Sequence, residues 1–398
     1  MRERVDSKTP AVVVNSRAIA RLRARHVWIY RSDVISADGV PPGGLVRVVD
    51  ERGRAHGSGC YSSASQIAIR MLSAGAIEDF PVLLRQRLWH AISYRERVVS
   101  ESDAYRLVFS EADFLPGLIV DRYNDVLSAQ FLTQAMDADT VRQTVVTVLK
   151  EQLSPAGIVE RVEPRVREIE QLPQRSNALL MGEKTDTTIS MNRVRFYYRG
   201  LEGQKTGAFL DQRENYAAAA RYAHGEALDV FCYQGGFALH LAPRCPQVTG
   251  IDSSRAALEM AEQNELLNKP GREIEWIEAN AFDLLKDYSA GGHHYDTIVL
   301  DPPAFARSKR SLDTALRAYK ELNLRALKML RDDGILVSCS CSYHVSPQQF
   351  REAIAAAALD AHRTVRVIEE RGQARDHPSL LHVPETAYLK CLILLVNS

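Results

Sequence analysis

Four short stretches of this 398-residue sequence combine reactive residue types with spacings that put them at strand ends. The first is Ser338-Cys339-Ser340-Cys341-Ser342, which follows the apolar run Gly334–Val337. A cysteine at that end would face a cleft, and as a thiolate it is a nucleophile capable of covalent catalysis. The bland alternative is that both cysteines are small buried strand residues. The second is Asp301-Pro302-Pro303-Ala304-Phe305. Two prolines directly after a strand keep the chain out of helix and hold Asp301 rigid at a pocket lip. The third is the turn Phe231-Cys232-Tyr233-Gln234-Gly235-Gly236-Phe237, where a strand gives way to a helix. Glycines there let a ligand approach the backbone and the free N–H groups of the helix start. The pattern is not G-x-G-x-x-G, so a dinucleotide pyrophosphate is a poor match. The fourth is a pair of later strand ends. Asp252, beside Ser253, can hold two ribose hydroxyls or simply cap a helix. Asn280, beside Ala281, can meet an adenine edge, or cap in its turn.

The elements that position these residues alternate from about residue 191. Strands are expected at Ala227–Phe231, Val248–Asp252, Glu273–Glu278, Thr297–Asp301, Gly334–Cys339, Val365–Glu369 and Tyr388–Leu395. Helices are expected between them at Phe237–Ala242, Arg255–Asn268, Phe282–Asp287, Arg317–Leu330 and Pro347–Leu359. Repeated β-α units imply a parallel sheet covered on both faces, with ligands outside the carboxyl ends of its strands. The last strand follows a short connection without a helix and should run antiparallel to its neighbour.

Two further regions precede this one. Residues 1–75 read as β-rich, with strands at Ala11–Val14, Gly44–Val49 and Gln66–Met71 and a short basic helix at Ala18–Arg25. Residues 76–190 read as α+β: helices at Phe80–Glu101 and Asp137–Leu153, a hairpin turning at Asn124-Asp125, and a polar loop or ribbon over Pro164–Ser176. The whole chain has 50 basic and 50 acidic residues, which excludes a polycation. The first 75 residues carry 12 basic and 6 acidic residues, a net +6 that points to a polyanion-facing end. No CxxC occurs among the six cysteines, so neither a disulfide scaffold nor a metal site is expected. No apolar run approaches membrane-helix length and the start lacks a signal-peptide core, which suggests a cytoplasmic protein.

Asp301-Pro302-Pro303 with its aromatic Phe305 resembles the fourth motif of class I S-adenosylmethionine (SAM) methyltransferases that act on planar bases. A cysteine in such a cleft matters for one reaction. Carbon 5 of cytosine is not nucleophilic until a thiolate adds to carbon 6; nitrogen methylation needs no thiol. Nearly the whole chain resembles the bacterial large-subunit ribosomal RNA methyltransferases that make 5-methylcytosine. The resemblance is carried by Gly203-Gln204-Lys205-Thr206-Gly207, Phe209-Leu210-Asp211-Gln212-Arg213, Tyr233–Phe237, Asp301-Pro302-Pro303, Tyr319–Asn323, Ser340-Cys341-Ser342, Asp376-His377-Pro378 and Tyr388-Leu389-Lys390.

That resemblance implies a PUA domain (1–75), a central α+β domain (76–190) and a Rossmann-like methyltransferase domain (191–398). It implies SAM as cofactor, with Phe231, Tyr233, Gly235 and Gly236 on its methionine side. Asp252 and Ser253 would bind its ribose, and Asn280 and Ala281 its adenine. Gln212 and Arg213 would close over it, Arg213 pairing with its carboxylate. Asp301 would hydrogen-bond the target base and Cys341, rather than Cys339, would be the nucleophile. The family's lysine after Pro-Pro is Ala304 here, leaving Lys309 as a nearby cation. A homodimer is also implied. A related class methylates guanine nitrogen 7 and has asparagines in place of Cys341.

For the RNA side, Arg17, Arg21, Arg23, Arg25 and Arg31 are the candidates in the first domain, with Lys205 near the cleft. Arg161, Arg165, Arg167 and Arg175 form a second basic set. Binding by such local patches should weaken with salt. Two competing functions are a base-nitrogen methyltransferase, in which Cys341 would be structural, and a non-catalytic RNA-binding assembly factor with a vestigial pocket.

Overall fold

The structure, a computed structural model, describes residues 9–201, 208–269, 271, 273–306 and 308–398, without the side chain of residue 309. The Gly203–Gly207 stretch, including Lys205, and the Lys309 side chain therefore lie outside the described residues.

Six strands make the first sheet: β1 (Ala11–Val14), β2 (Trp28–Tyr30), β3 (Val34–Ser36), β4 (Leu45–Asp50), β5 (Ala55–Tyr61) and β6 (Ile67–Ser73). They pair in the order β2-β6-β5-β4-β1-β3. Val12, Val14, Ile29, Val46, Val48 and Ile69 fill its core together with Ile19 from helix α1 (Ser16–Arg23). The Asn15 side chain caps α1 by accepting from Ala18 N at 3.0 Å. Strand β5 was not expected, because Ala-His-Gly-Ser-Gly-Cys-Tyr is poor in β-branched residues. Its glycines are what the sheet needs: a Cβ on Gly59 would sit 2.5 Å from the Arg70 carbonyl oxygen of β6.

The central region comprises α2 (Phe80–Val98), β7 (Ala104–Phe109), β8 (Leu118–Tyr123), β9 (Val126–Phe131), α3 (Asp139–Leu153), β10 (Gly157–Glu160), α4 (Pro164–Ile169) and β11 (Ala178–Gly182). Its sheet runs β11-β10-β9-β8-β7. The β8–β9 hairpin turns at Asn124, whose φ of 55° an asparagine tolerates. Part of the expected Pro164–Ser176 loop is helix α4, opened by Pro164 in the first turn. A hairpin of β12 (Asp186–Met191) and β13 (Val194–Arg199) follows, paired along its full length. Its inward Ile189, Met191, Phe196 and Tyr198 join the core of the C-terminal sheet. A boundary between residues 190 and 191 would cut through this hairpin.

The C-terminal region adds α5 (Arg213–Tyr222), β14 (Glu226–Val230), α6 (Gly236–Leu241), β15 (Gln247–Asp252), α7 (Arg255–Asn268), β16 (Glu275–Glu278), α8 (Ala281–Gly291), β17 (Tyr295–Leu300), α9 (Leu312–Met329), β18 (Leu330–Ser340), α10 (Pro347–Asp360), β19 (Thr364–Arg371) and β20 (Lys390–Asn397). The sheet order is β16-β15-β14-β17-β18-β20-β19. The first five pair in parallel, and β20 inserts antiparallel between β18 and β19. The expected antiparallel last strand is thus present. Apolar residues cover both faces of the sheet, as a parallel sheet requires. The strand order reverses between β14 and β17, and a cleft opens at that switch point.

Candidate active site

The cleft is lined by Phe231, Tyr233, Gly236 and Asp301, with Phe209, Tyr216, Met191 and Phe196 from neighbouring segments. Its floor is the turn after β14. Phe231 (φ 66°), Tyr233 (φ 51°) and Gly235 (φ 83°) all take left-handed backbone there. For non-glycine residues that conformation is strained, and it is held by partners. The Asp252 carboxylate accepts from Tyr233 N and from Ser254 N, each at 2.9 Å. Asp252 therefore clamps the turn and caps the approach to α7 with one side chain. The buried Asp229 accepts from Ala238 N at 2.8 Å, and its other oxygen has no partner among the described residues. Burial first, then the charges of Asp301 and Asp252, push its carboxyl up to about 8.

The two glycines also make room for protein rings. A Cβ on Gly235 would lie 2.8 Å from the Trp276 ring, and one on Gly236 would lie 2.6 Å from the Tyr216 hydroxyl. They let protein rings seal the back of the cleft. Asn280 caps α8 by accepting from Phe282 N at 2.9 Å, and Ala281 behind it is buried. Asn280 and Ser253 are exposed at adjoining strand ends, next to Asp252.

Gln212 and Arg213, expected to act together, part company. Gln212 donates to Asp301 Oδ1 at 2.9 Å and accepts from Asn215 at 2.7 Å, and Asn215 in turn is held by Arg371. Asp301 is thereby oriented through a chain of side chains. Arg213 does not face the cleft. Its guanidinium is buried and bonds Asp376 at 2.8 Å, so the expected pairing with a cofactor carboxylate is corrected. Burial alone would raise the Asp376 carboxyl, but His377 and Arg213 hold it well below the usual range. Asp376 also accepts from Arg106 N at 2.8 Å, so the pair ties the C-terminal region to β7. The partner lies 163 residues from Arg213, beyond any local pattern.

On the base side, β18 separates its two cysteines. Cys339 is wholly buried opposite Cys391 of β20, and burial pushes its thiol well up. Cys341 is the one cysteine of the six that is partly exposed. Its Sγ lies 3.8 Å from the Pro302 carbonyl oxygen. The flanking serines are structural. Tyr319 of α9 bridges Ser340 at 2.8 Å and Ser342 at 2.9 Å, and Ser342 accepts from Ala306 N at 3.2 Å. This hydroxyl cluster ties the cysteine strand to the Asp-Pro-Pro loop.

The basic residues of the first sheet divide. Arg31 bonds the Ser62 and Ser65 carbonyls, at 2.5 Å and 2.9 Å, and holds a loop instead of facing a partner. Arg17 and Arg21 both pair with the buried Asp33, and the Arg21 guanidinium also lies over the Tyr30 ring. Arg23 and Arg25 are exposed, with no side-chain partner among the described residues. In the second set, Arg167 and Arg175 both clamp Asp137, and Arg161 bonds the Gly200 carbonyl.

Sequence reasoning missed Tyr319, Asn215 and Asp376 as partners of the site and Phe209 as a wall of it. Phe209 meets Tyr233 edge-on at 5.1 Å.

A cleft at the switch point of a 3-2-1-4-5-7-6 type sheet, floored by a tight turn and flanked by a strand-end acid, is a ligand site of the doubly wound α/β class. The S-adenosylmethionine-dependent methyltransferase family matches residues 115–394, and the PUA-like domain family matches residues 12–74. Ribosomal RNA large subunit methyltransferase I of Tolumonas auensis is 37% identical over 382 residues, covering 94% of this chain and 96% of its own. The protein of the same name from Shewanella amazonensis is 38% identical over 384 residues, with 94% and 96% covered. The chain belongs to the ribosomal RNA large subunit methyltransferase I family. In fold it is similar to SMU.776, crystallised with SAH, at TM-score 0.83 and 18% identity over 97% of this chain and 100% of that one. A Streptococcus mutans structure assigned to the SAM-dependent methyltransferases gives 0.81 at 17% identity, with the same shares covered.

Proposed function

We propose that this protein methylates carbon 5 of a cytosine in large-subunit ribosomal RNA through a covalent adduct with Cys341. The observation that carries the reading is the placement of Cys341: the one partly exposed cysteine, at the carboxyl end of β18 and against the Asp301-Pro302-Pro303 loop. The residues present fit SAM. Aromatic rings line the cleft, and the Asp301 carboxylate in its lining, with Asp252 beside the turn that floors it, gives an acidic field suited to a sulfonium cation. When bound, SAM supplies an electrophilic methyl group.

The chain's own residues do the rest. Phe231 and Tyr233 contact the methionine side, Asp252 and Ser253 the ribose, and Asn280 and Ala281 the adenine. Gln212 orients Asp301, whose carboxylate takes a hydrogen bond from the cytosine amine. Cys341 thiolate adds to carbon 6, carbon 5 takes the methyl group, a base removes the carbon 5 proton, and the thiolate leaves. The target must be unpaired or flipped out of its stack. Arg23 and Arg25 are then the first-sheet arginines best placed to meet phosphates. Three regions, 1–75, 76–190 and 191–398, suit this division of labour once the β12–β13 hairpin, which spans the 190/191 boundary, is counted with the last. On this reading the enzyme works alongside its RNA substrate in the cytoplasm.

The test is methyl transfer from labelled SAM to unmodified large-subunit RNA, with the product nucleoside identified by mass spectrometry. Wild type should yield 5-methylcytosine, and Cys341→Ala should lose roughly a thousandfold or more, as removal of a nucleophile does. A Cys341→Ala variant that keeps its activity would sink the covalent mechanism and favour a base-nitrogen target held by Asp301.

A further inference from the structure

The buried ammonium of Lys390 belongs to no part of the site described so far. It opens β20, is nearly inaccessible to solvent, and donates to three backbone carbonyls: Ser342 at 2.6 Å, Tyr388 at 2.7 Å and Val345 at 3.0 Å. Three donors meeting three acceptors satisfy an ammonium completely. Two of those carbonyls belong to the turn that begins one residue after Cys341. The third acceptor, Tyr388, puts its hydroxyl 2.6 Å from Asp211 and fixes the other wall. Lys390 is thus stapled to the segment that carries the cysteine, 49 residues away in sequence.

A surface lysine would hold such a turn poorly, since its charge prefers water. A buried lysine keeps a charge at a high desolvation cost, and what offsets that cost is negative charge nearby. Burial pulls the Lys390 amine down to about 8, and the one charge that opposes the fall is that of Cys341. Tyr319 of α9, Tyr388 and Lys390 interact electrostatically with Cys341, and the loop that begins at Asp301 meets its Sγ. Of these only Lys390 carries a positive charge. The tyrosines, both raised by burial, are neutral at pH 7, and Asp301 is an acid.

We propose that Lys390 is the positioning residue of the nucleophile: its fixed ammonium sets the Cys341–Val345 turn and favours the Cys341 thiolate. The proposal rests on Cys341 being the attacking group. Lys390 touches neither substrate nor cofactor and takes no proton in the cycle. Its help is present while it is charged and fades as pH rises through about 8.

The experiment is alkylation of Cys341 by iodoacetamide across pH 5.5–10, without RNA or SAM, read by mass spectrometry of the Cys341 peptide. The other five cysteines are buried, so the signal is selective. In wild type the thiol should ionise below the free-cysteine value of about 8.5. Lys390→Met should move that midpoint up by about one unit and slow alkylation at pH 7 by about tenfold, whereas Lys390→Arg should stay near wild type. SAM binding by calorimetry reports whether each variant is folded. An unchanged alkylation curve in a SAM-binding Lys390→Met variant would overturn the proposal. So would a wild-type Cys341 that ionises no more readily than free cysteine, a result that needs no variant. Because alkylation uses neither RNA nor SAM, absence of 5-methylcytosine in the transfer assay would refute the function while leaving this charge pairing standing or falling on its own curve.

Discussion

The two sides of the cleft are built on different principles. On the cofactor side, the turn after β14 is shaped by backbone: left-handed Phe231, Tyr233 and Gly235, clamped by the Asp252 and Asp229 side chains on main-chain N–H groups. On the base side, the end of β18 is shaped by side chains. Tyr319 gathers Ser340 and Ser342, Ser342 holds Ala306, and Lys390 gathers three carbonyls. Backbone clamps make a rigid cradle that any close approach of a Cβ disrupts. Side-chain networks can instead be trimmed one group at a time, each deletion leaving buried polar partners unsatisfied. The cofactor side should therefore be brittle to small increases in volume and the base side sensitive to loss of single hydroxyls.

The largest effect should come from breaking the cradle. Gly235→Ala must adopt a φ of 83° and put a methyl 2.8 Å from the Trp276 ring. The left-handed conformation costs about 1–2 kcal/mol and overpacking about 1–3 kcal/mol. Thermal unfolding should fall accordingly and calorimetric SAM affinity should drop by tenfold or more; normal SAM affinity in this variant would show that the turn yields. A smaller effect is expected across the cleft. Tyr319→Phe keeps the ring among Phe305 and Phe350 but removes the hydroxyl that the Ser340 and Ser342 side chains share. That should cost about 1–3 kcal/mol and lower the methyl-transfer rate while SAM affinity holds. If SAM affinity falls instead, the two sides are not independent.

The same contrast explains what could be read before the structure was known. The β-α rhythm from residue 226 and helix Arg255–Asn268 follow from hydrophobic periodicity, and the antiparallel last strand from its short helix-free connection, all of them local signals. So does the cofactor-side turn, because a strand, two glycines and a helix are neighbours in sequence. The base side is long-range: Tyr319 reaches Ser342 across 23 residues and Lys390 reaches Ser342 across 48. No window of sequence contains both ends of those bonds. Arg213 was misread for the same reason, since an arginine beside a cleft motif looks like a carboxylate binder until Asp376 is seen to occupy it. Arg31 looked like an RNA ligand because burial by partners is not written in residue type, and the Ser62 and Ser65 carbonyls fold onto it. Strands β2, β3 and β5 escaped because three-residue edges and a glycine-rich strand carry little period-two signal.

The smallest effect sharpens the comparison by titration. Asp229 is the carboxyl that the cofactor side buries most deeply, and burial with Asp301 and Asp252 nearby raises it to about 8 against roughly 3.9 in an unfolded chain. A raised carboxyl binds its proton more tightly in the folded state. Its contribution to stability is therefore fully present below about pH 4 and is lost as pH rises through about 8. Asp229→Asn keeps an oxygen for Ala238 N and cannot ionise, so it should remove that slope. Relative to wild type, the variant should gain about 1–2 kcal/mol between pH 5 and pH 9, after relaxation around the buried charge reduces the ideal penalty. Denaturant unfolding at several pH values reads this directly. Parallel curves for the two proteins would mean that Asp229 stays ionised, and that the backbone N–H groups of the cradle, rather than a proton, neutralise it.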